Sequence, residues 1–305
     1  MRVLVVGAGG VGGYFGAKLA RAGTAVTMLA RGPHLEAIRR DGLRVRSTIE
    51  GESLARVEAR ADVGSTPVDA VLLCVKSFDT ESAVQAIRPA VGADTAVLSL
   101  QNGVDNEDKI DAILGAGHAL GGAAYVFATI EAPGVIAHHF AGRIVFGEMD
   151  GRSRARATRL HDAFAAAGVP VELSADVRRI LWEKYLLISA QAGMTSITRC
   201  PTGVLRETPE TWVMYRRIVE ELSAVARAAG VALAPDVVES IMKQAATIGA
   251  DTYSSLHHDL VTGRRLELEA LHGYAVRLGE RLGVAVPTIF AVYAALKPYV
   301  DGRRD

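Results

Sequence analysis

Lys184 stands inside the apolar run from Leu181 to Ala190, a setting in which lysine is rare unless it has a task. An ammonium in a ligand site can hydrogen-bond a carbonyl oxygen and deliver a proton while hydride adds to the carbon. The same residue on a packed helix can instead snorkel its charge to water, and spacing alone leaves both readings open. Glu267 follows the break Thr262-Gly263-Arg264-Arg265 and can pair with a lysine or a substrate hydroxyl. Ser254, Ser255 and Asp259 share a predicted helix. A serine there can bind a carboxylate, or each of the three can be a cap or a surface group.

A second chemistry is written at the start of the chain. The β-branched run Val3 to Val6 leads into Gly7-Ala8-Gly9-Gly10-Val11-Gly12, followed by an alanine-rich stretch with helical character. In a strand–turn–helix of this kind the first glycine permits the tight turn. The second lets the backbone approach a pyrophosphate, and the third lets helix and strand pack closely. The helix start then offers unpaired N–H groups to phosphate oxygens. A glycine-rich turn with no ligand is the alternative. Nineteen residues after Gly12, at the end of the next predicted strand, stands Arg31 and not an acid. An acid there would take a ribose 2′-hydroxyl, whereas an arginine pairs with a 2′-phosphate, so the pattern points to NADP rather than NAD or FAD. Lys76 and Asn102 lie at the ends of two further predicted strands, on the edge where such sheets bind ligands. Lys76 can join Arg31 at the 2′-phosphate. The Asn102 amide can bond a nicotinamide ribose or a substrate oxygen, although Asn102-Gly103 is also an ordinary turn pair.

These groups need a scaffold. Near-continuous apolar strands are expected at 2–6, 25–30, 69–75 and 95–100, with helices near 10–22, 33–40, 79–90 and 104–113. That alternation means a parallel sheet covered on both faces. Segments 117–131, 134–138, 143–148 and 169–173 read as further strands, some antiparallel. Past about residue 174 helical periodicity takes over, at 176–198, 209–229, 235–248, 251–261, 264–283 and 287–297, with Gly230, Gly283, Pro235 and Pro287 at helix boundaries. The fold class is therefore α/β. A Rossmann-type dinucleotide-binding domain over 1–174 precedes an all-α domain over 175–305 that serves substrate binding or dimerisation.

Composition narrows the partners. The chain has 34 basic and 34 acidic residues, so nucleic acid and anionic membrane are not expected partners. The cluster Arg152, Arg154, Arg156, Arg159 reads as a solvated helix start. Two distant cysteines, Cys74 and Cys200, form no metal or redox motif and suit a reduced cytoplasmic protein. His138-His139 and His257-His258 lack metal-ligand spacing, and no metal is expected. No apolar run is long enough for a membrane-spanning helix.

Together these pieces resemble the ketopantoate reductase family along essentially the whole chain. The resemblance rests on Gly7-x-Gly9-x-x-Gly12, Arg31, Val75-Lys76, Gln101-Asn102-Gly103, Pro133-Gly134 with His138, Trp182-Glu183-Lys184, Ser254-Ser255 with Asp259, and Glu267. It implies NADPH-dependent reduction of 2-dehydropantoate to pantoate, on the route to coenzyme A. It also implies a 2′-phosphate site at Arg31 and Lys76, Lys184 as general acid and Glu267 assisting at the substrate hydroxyl. Asn102 and Ser255 would touch ribose and substrate, and a homodimer is compatible with the apolar helical half. The family usually carries asparagines four and eight residues after the lysine, where this chain has Ile188 and Ala192. At 3.6 residues per turn, positions seven and eleven after Lys184 fall about 20° to either side of its direction. Those are Gln191 and Thr195, which we expect to supply the missing polar groups. The alternatives are a reductase of another 2-oxo acid or carbonyl compound, and an NADP-binding sensor without turnover.

Overall fold

The computed structural model describes residues 1–302. It resolves into two compact units. The first comprises Met1–Gln101 and Asn106–Val177; the second comprises Asn102–Asp105 with the chain from Arg178 onward.

In the first unit the chain runs β1 (Arg2–Val6), α1 (Gly10–Arg21), β2 (Ala25–Leu29), α2 (Gly32–Asp41), β3 (Leu43–Ser47), β4 (Gly51–Ala55), β5 (Glu58–Arg60), β6 (Val68–Leu73) and α3 (Thr80–Ile87). It continues through β7 (Val91–Ser99), α4 (Asn106–Leu114), β8 (Ala119–Ala132), β9 (Val135–Glu148), α5 (Ala155–Ala166) and β10 (Val171–Leu173). Among the described residues these strands form one ten-stranded sheet, ordered β4-β3-β9-β8-β7-β6-β1-β2-β5 with β10 beside β9. From β5 to β8 every pairing is parallel, with β1 between β2 and β6. The chain therefore leaves β1 toward one side for β2 and returns to the other for β6. That reversal is the crevice where open α/β sheets take their ligands. Val3, Val5, Phe15 and Leu72 are buried on one face of the central strands and Leu4, Val71, Leu73 and Val97 on the other. Both faces being covered explains why these strands read as continuous apolar runs.

Several elements escaped the sequence reading. Strands β3, β4 and β5 occupy a stretch with no predicted structure. Their apolar residues alternate with charges, and Glu52 bonds both Arg44 and Arg46 across the β3–β4 pair. The predicted strands at 134–138 and 143–148 are one strand, β9. Its register against β8 shifts where Ala141 and Gly142 adopt positive φ, so a bulge had looked like a break. The basic cluster is only partly solvated, because Arg154 and Arg156 both bond the buried Glu148, at 3.0 and 2.5 Å.

The second unit contains α6 (Val177–Thr198), α7 (Thr202–Glu207), α8 (Pro209–Ala228), α9 (Val237–Thr247), α10 (Ser255–Val261), α11 (Tyr274–Leu282) and α12 (Pro287–Leu296). Helix α6 buries side chains around its whole circumference, including Trp182, Tyr185, Leu186, Ala190, Met194 and Thr195, which makes it the central helix of this core. Where one helix was predicted over 264–283, the chain forms a wide π-type turn at Glu269–Gly273 and only then α11. Helix α7 was not predicted at all; six residues are too few to show periodicity.

Candidate active site

The glycine loop has the geometry its residue types require. Gly7 has φ +98°, and a β-carbon on it would lie 2.9 Å from the Cys74 main chain. A β-carbon on Gly12 would overlap the Gly7 carbonyl oxygen. Gly9, by contrast, faces open space, with nothing within 4 Å of its β-position. It is also the N-cap of α1, with no side-chain cap bond and no acid in the first helical turn. Uncapped N–H groups, a positive helix end and an open approach fit a dinucleotide pyrophosphate. Ala8 and Gly12 are buried, while Gly9, Gly10 and Val11 are partly accessible.

Arg31 lies two residues past the end of β2, where it is the exposed N-cap of α2 with extended backbone. Lys76 lies three residues past β6, half-buried, at the start of a short 3-10 turn, Ser77–Asp79. Sequence reasoning missed what holds that turn. Gln101 is buried at the end of β7 and donates its amide to the Val75 carbonyl oxygen, 3.0 Å, and to Thr80 Oγ1, 2.8 Å. Thr80 Oγ1 in turn donates to the Ser77 carbonyl oxygen at 2.8 Å. The Lys76 turn is thus fastened on both sides to the neighbouring strand. The signal was present in Gln101-Asn102-Gly103, but only the parallel β6–β7 pairing brings Gln101 beside Val75. Cys74, at the foot of the same turn, has its thiol pushed up to about 12 by burial and stays protonated at neutral pH.

Asn102 belongs to the helical unit, as does Lys184; Val104, two residues on, packs against that unit's core. Lys184 is half-buried on α6. Glu267 is buried, in the turn that leads into the π-type segment. Ser255 is the exposed first residue of α10, and Ser254 before it is the N-cap, its hydroxyl accepting from the His257 N–H at 3.0 Å.

Gln191 and Thr195 come together with Ser254 and Thr202 in one buried polar chain. Thr195 Oγ1 donates to the Gln191 carbonyl oxygen, 2.8 Å, and lies 2.8 Å from Ser254 Oγ. The Gln191 amide donates to Thr202 Oγ1 at 2.5 Å, and Thr202 Oγ1 donates to the Thr252 carbonyl oxygen at 2.8 Å. Because the Thr202 proton is committed to a carbonyl, the Gln191 group facing it must be the NH2, which fixes the amide orientation. Gln191 Oε1 is then a buried acceptor with no hydrogen-bond partner among the described residues. Ile188 and Ala192, on the same helix, pack with the unit's hydrophobic core. Among the described residues no group of three His, Cys, Asp or Glu side chains could hold a metal ion, and no helix is long and apolar enough to cross a membrane.

A sheet with a crevice at β1, a glycine loop opening α1 and a helical unit built on α6 together define a two-part dinucleotide-dependent oxidoreductase. The chain belongs to the ketopantoate reductase family. Residues 3–151 match the model described as "Ketopantoate reductase PanE/ApbA", and residues 176–300 match its C-terminal counterpart. It is 36% identical to a 2-dehydropantoate 2-reductase of Halobacterium salinarum, over 95% of each chain. It is 29% identical to the uncharacterized oxidoreductase YkpB of Bacillus subtilis, over 98% of this chain and 99% of that one. A crystal structure of a PanE/ApbA family ketopantoate reductase from Ralstonia eutropha superposes with a TM-score of 0.89 at 38% identity, covering 98% of both chains.

Proposed function

We propose that this enzyme reduces a 2-oxo acid with NADPH, with 2-dehydropantoate as the first substrate to test. The observation that carries the cofactor half is Arg31, an exposed cation at the end of β2 where an NAD site would hold an acid. Arg31 and Lys76 would hold the 2′-phosphate, Gly7 to Gly12 the pyrophosphate and Asn102 the ribose or a substrate oxygen. When bound, the dinucleotide supplies hydride equivalents. The protein's own part is to hold the substrate and move a proton. Lys184 Nζ would hydrogen-bond the 2-oxo oxygen and pass its proton there as negative charge develops, a role that typically contributes about 10²–10⁴-fold. Glu267 would accept a hydrogen bond from a substrate hydroxyl, and Ser255 would meet the substrate. We propose further that the enzyme acts in the cytoplasm, as a homodimer.

A second reading, a different 2-oxo acid, is favoured by Ile188 and Ala192. Two amides that members of the family usually present are replaced by side chains packed into an apolar core. Sites that hydrogen-bond a substrate group reject analogues lacking it by orders of magnitude, so this exchange shifts selectivity toward a less polar acid. Gln191 Oε1, the spare buried acceptor, would meet only a substrate that carries a hydroxyl or amine donor.

The test is NADPH oxidation by the purified protein with 2-dehydropantoate, beside Lys184→Ala. The proposal expects turnover that the variant loses while NADPH binding persists. Turnover undiminished in the variant would remove Lys184 from its role. Turnover of another 2-oxo acid but not of 2-dehydropantoate would establish the second reading. NADPH binding without turnover of any carbonyl compound would mean a sensor.

A further inference from the structure

Three residues after Arg31, in the first turn of α2, His34 uses both ring nitrogens on main-chain atoms. Its Nε2 lies 2.8 Å from the carbonyl oxygen of Ala8, the second residue of the glycine loop. Its Nδ1 lies 3.0 Å from the N–H of Gly134, in the turn between β8 and β9. The partners decide the proton positions. A carbonyl can only accept, so Nε2 carries hydrogen; an N–H can only donate, so Nδ1 presents its lone pair. The ring is therefore neutral and in a single tautomer. The other ends of both bonds are also tied. The Ala8 N–H donates to the Leu29 carbonyl oxygen at the end of β2, and the Gly134 carbonyl accepts from the Arg44 N–H at the start of β3.

We infer that His34 is a positioning residue for the dinucleotide, a neutral imidazole that clamps the glycine loop, through the Ala8 carbonyl, to the β8–β9 turn. The inference rests on the reading of that loop as the pyrophosphate site. Gly9 and the first turn of α1 follow directly from Ala8, so the loop's N–H groups point where the Ala8 peptide lets them. With Arg31 as N-cap and His34 in its first turn, α2 sets both the 2′-phosphate cation and the pyrophosphate loop. Burial holds the His34 pKa below its ordinary value, which keeps the acceptor nitrogen available at neutral pH.

The experiment combines imidazole 15N NMR of the full-length protein at neutral pH with NADPH and NADH titrations of wild type, His34→Ala and His34→Gln. The Nε2–H tautomer is expected for His34. His34→Ala should weaken NADPH and NADH by the same factor, about tenfold, because the loop serves the pyrophosphate common to both. His34→Gln keeps one donor and one acceptor and should restore most of the affinity. Arg31→Ala, in contrast, should weaken NADPH selectively. An Nδ1–H tautomer or an imidazolium would overturn the clamp, as would unchanged affinities in a folded His34→Ala protein or equal losses in the Ala and Gln variants. Wild-type protein that binds neither dinucleotide would overturn the inference together with the reading it rests on. Wild-type binding with unaffected variants would overturn the inference alone. The NMR arm needs no variant, so a His34→Ala chain that fails to fold does not stop the test.

Discussion

Gln101→Leu tests the proposal that the Lys76 turn serves the cofactor. Leucine fills nearly the same volume but cannot donate, so the bonds to Val75 O at 3.0 Å and Thr80 Oγ1 at 2.8 Å both disappear. Thr80 keeps its bond to the Ser77 carbonyl oxygen. The Val75 carbonyl loses this partner in a partly buried setting, which costs about 1–2 kcal/mol, and the second bond adds about 1 kcal/mol. The added apolar burial of leucine offsets part of this, leaving a net destabilisation of about 2 kcal/mol. For a unit of this size that lowers Tm by roughly 4–8 °C. The functional consequence is separate. The turn that carries Lys76 is no longer fixed, so the proposed lysine–phosphate bond, worth about 1.5–3 kcal/mol, would be partly forfeited. NADPH affinity should fall about three- to tenfold while NADH affinity holds. Calorimetric titration of both cofactors, with a thermal melt of the same samples, reads the two effects apart. A lower Tm with an unchanged NADPH-to-NADH affinity ratio would refute the assignment of Lys76 to the 2′-phosphate.

Arg31→Ala should raise the NADPH dissociation constant about ten- to a hundredfold and leave NADH nearly unchanged, the value of a charge-assisted bond to phosphate; equal losses for both cofactors would remove the 2′-phosphate argument. Gln191→Met keeps the volume and deletes both the spare acceptor and the donor to Thr202 Oγ1, so stability should fall by about 1 kcal/mol and substrate KM should rise with kcat little changed; steady-state constants identical to wild type would take Gln191 out of the substrate site. His272 is fully buried beneath α6, donates from Nε2 to the Ser189 carbonyl oxygen, and burial pushes its pKa down from 6.5 to about 4. The unfolded chain binds this proton more readily, so the histidine's contribution is fully present above pH 6.5 and is lost as pH falls toward 4, by about 3 kcal/mol. Urea unfolding at both pH values should show that loss in wild type and not in His272→Asn; equal slopes in the two proteins would refute it.

Features that depend on local stereochemistry and on unbroken patterns were legible in the chain before it folded. Gly7 and Gly12 had to be glycine because one needs positive φ and the other leaves no room for a β-carbon. The apolar runs of β1, β6 and β7 announced a sheet buried on both faces, and the long periodic stretch over 209–229 announced α8. Arg31 was legible as a cation at a strand end for the same reason: its meaning depends on position along the chain. What the sequence could not carry were relations between distant segments. Gln101 meets Val75 only through the β6–β7 pairing, and His34 meets Gly134 only because α2 lies against the β8–β9 turn. Arg156 is a surface residue by pattern and a buried ion partner of Glu148 in three dimensions. Gln191 and Thr195 fall near the Lys184 direction by helical arithmetic. Tertiary packing alone brings Thr202 and Ser254 to them and leaves Gln191 Oε1 without a hydrogen-bond partner among the described residues. Hydrogen bonds between side chains and distant main-chain atoms leave no periodicity in the sequence, so the supports of the site became visible only once the chain was folded.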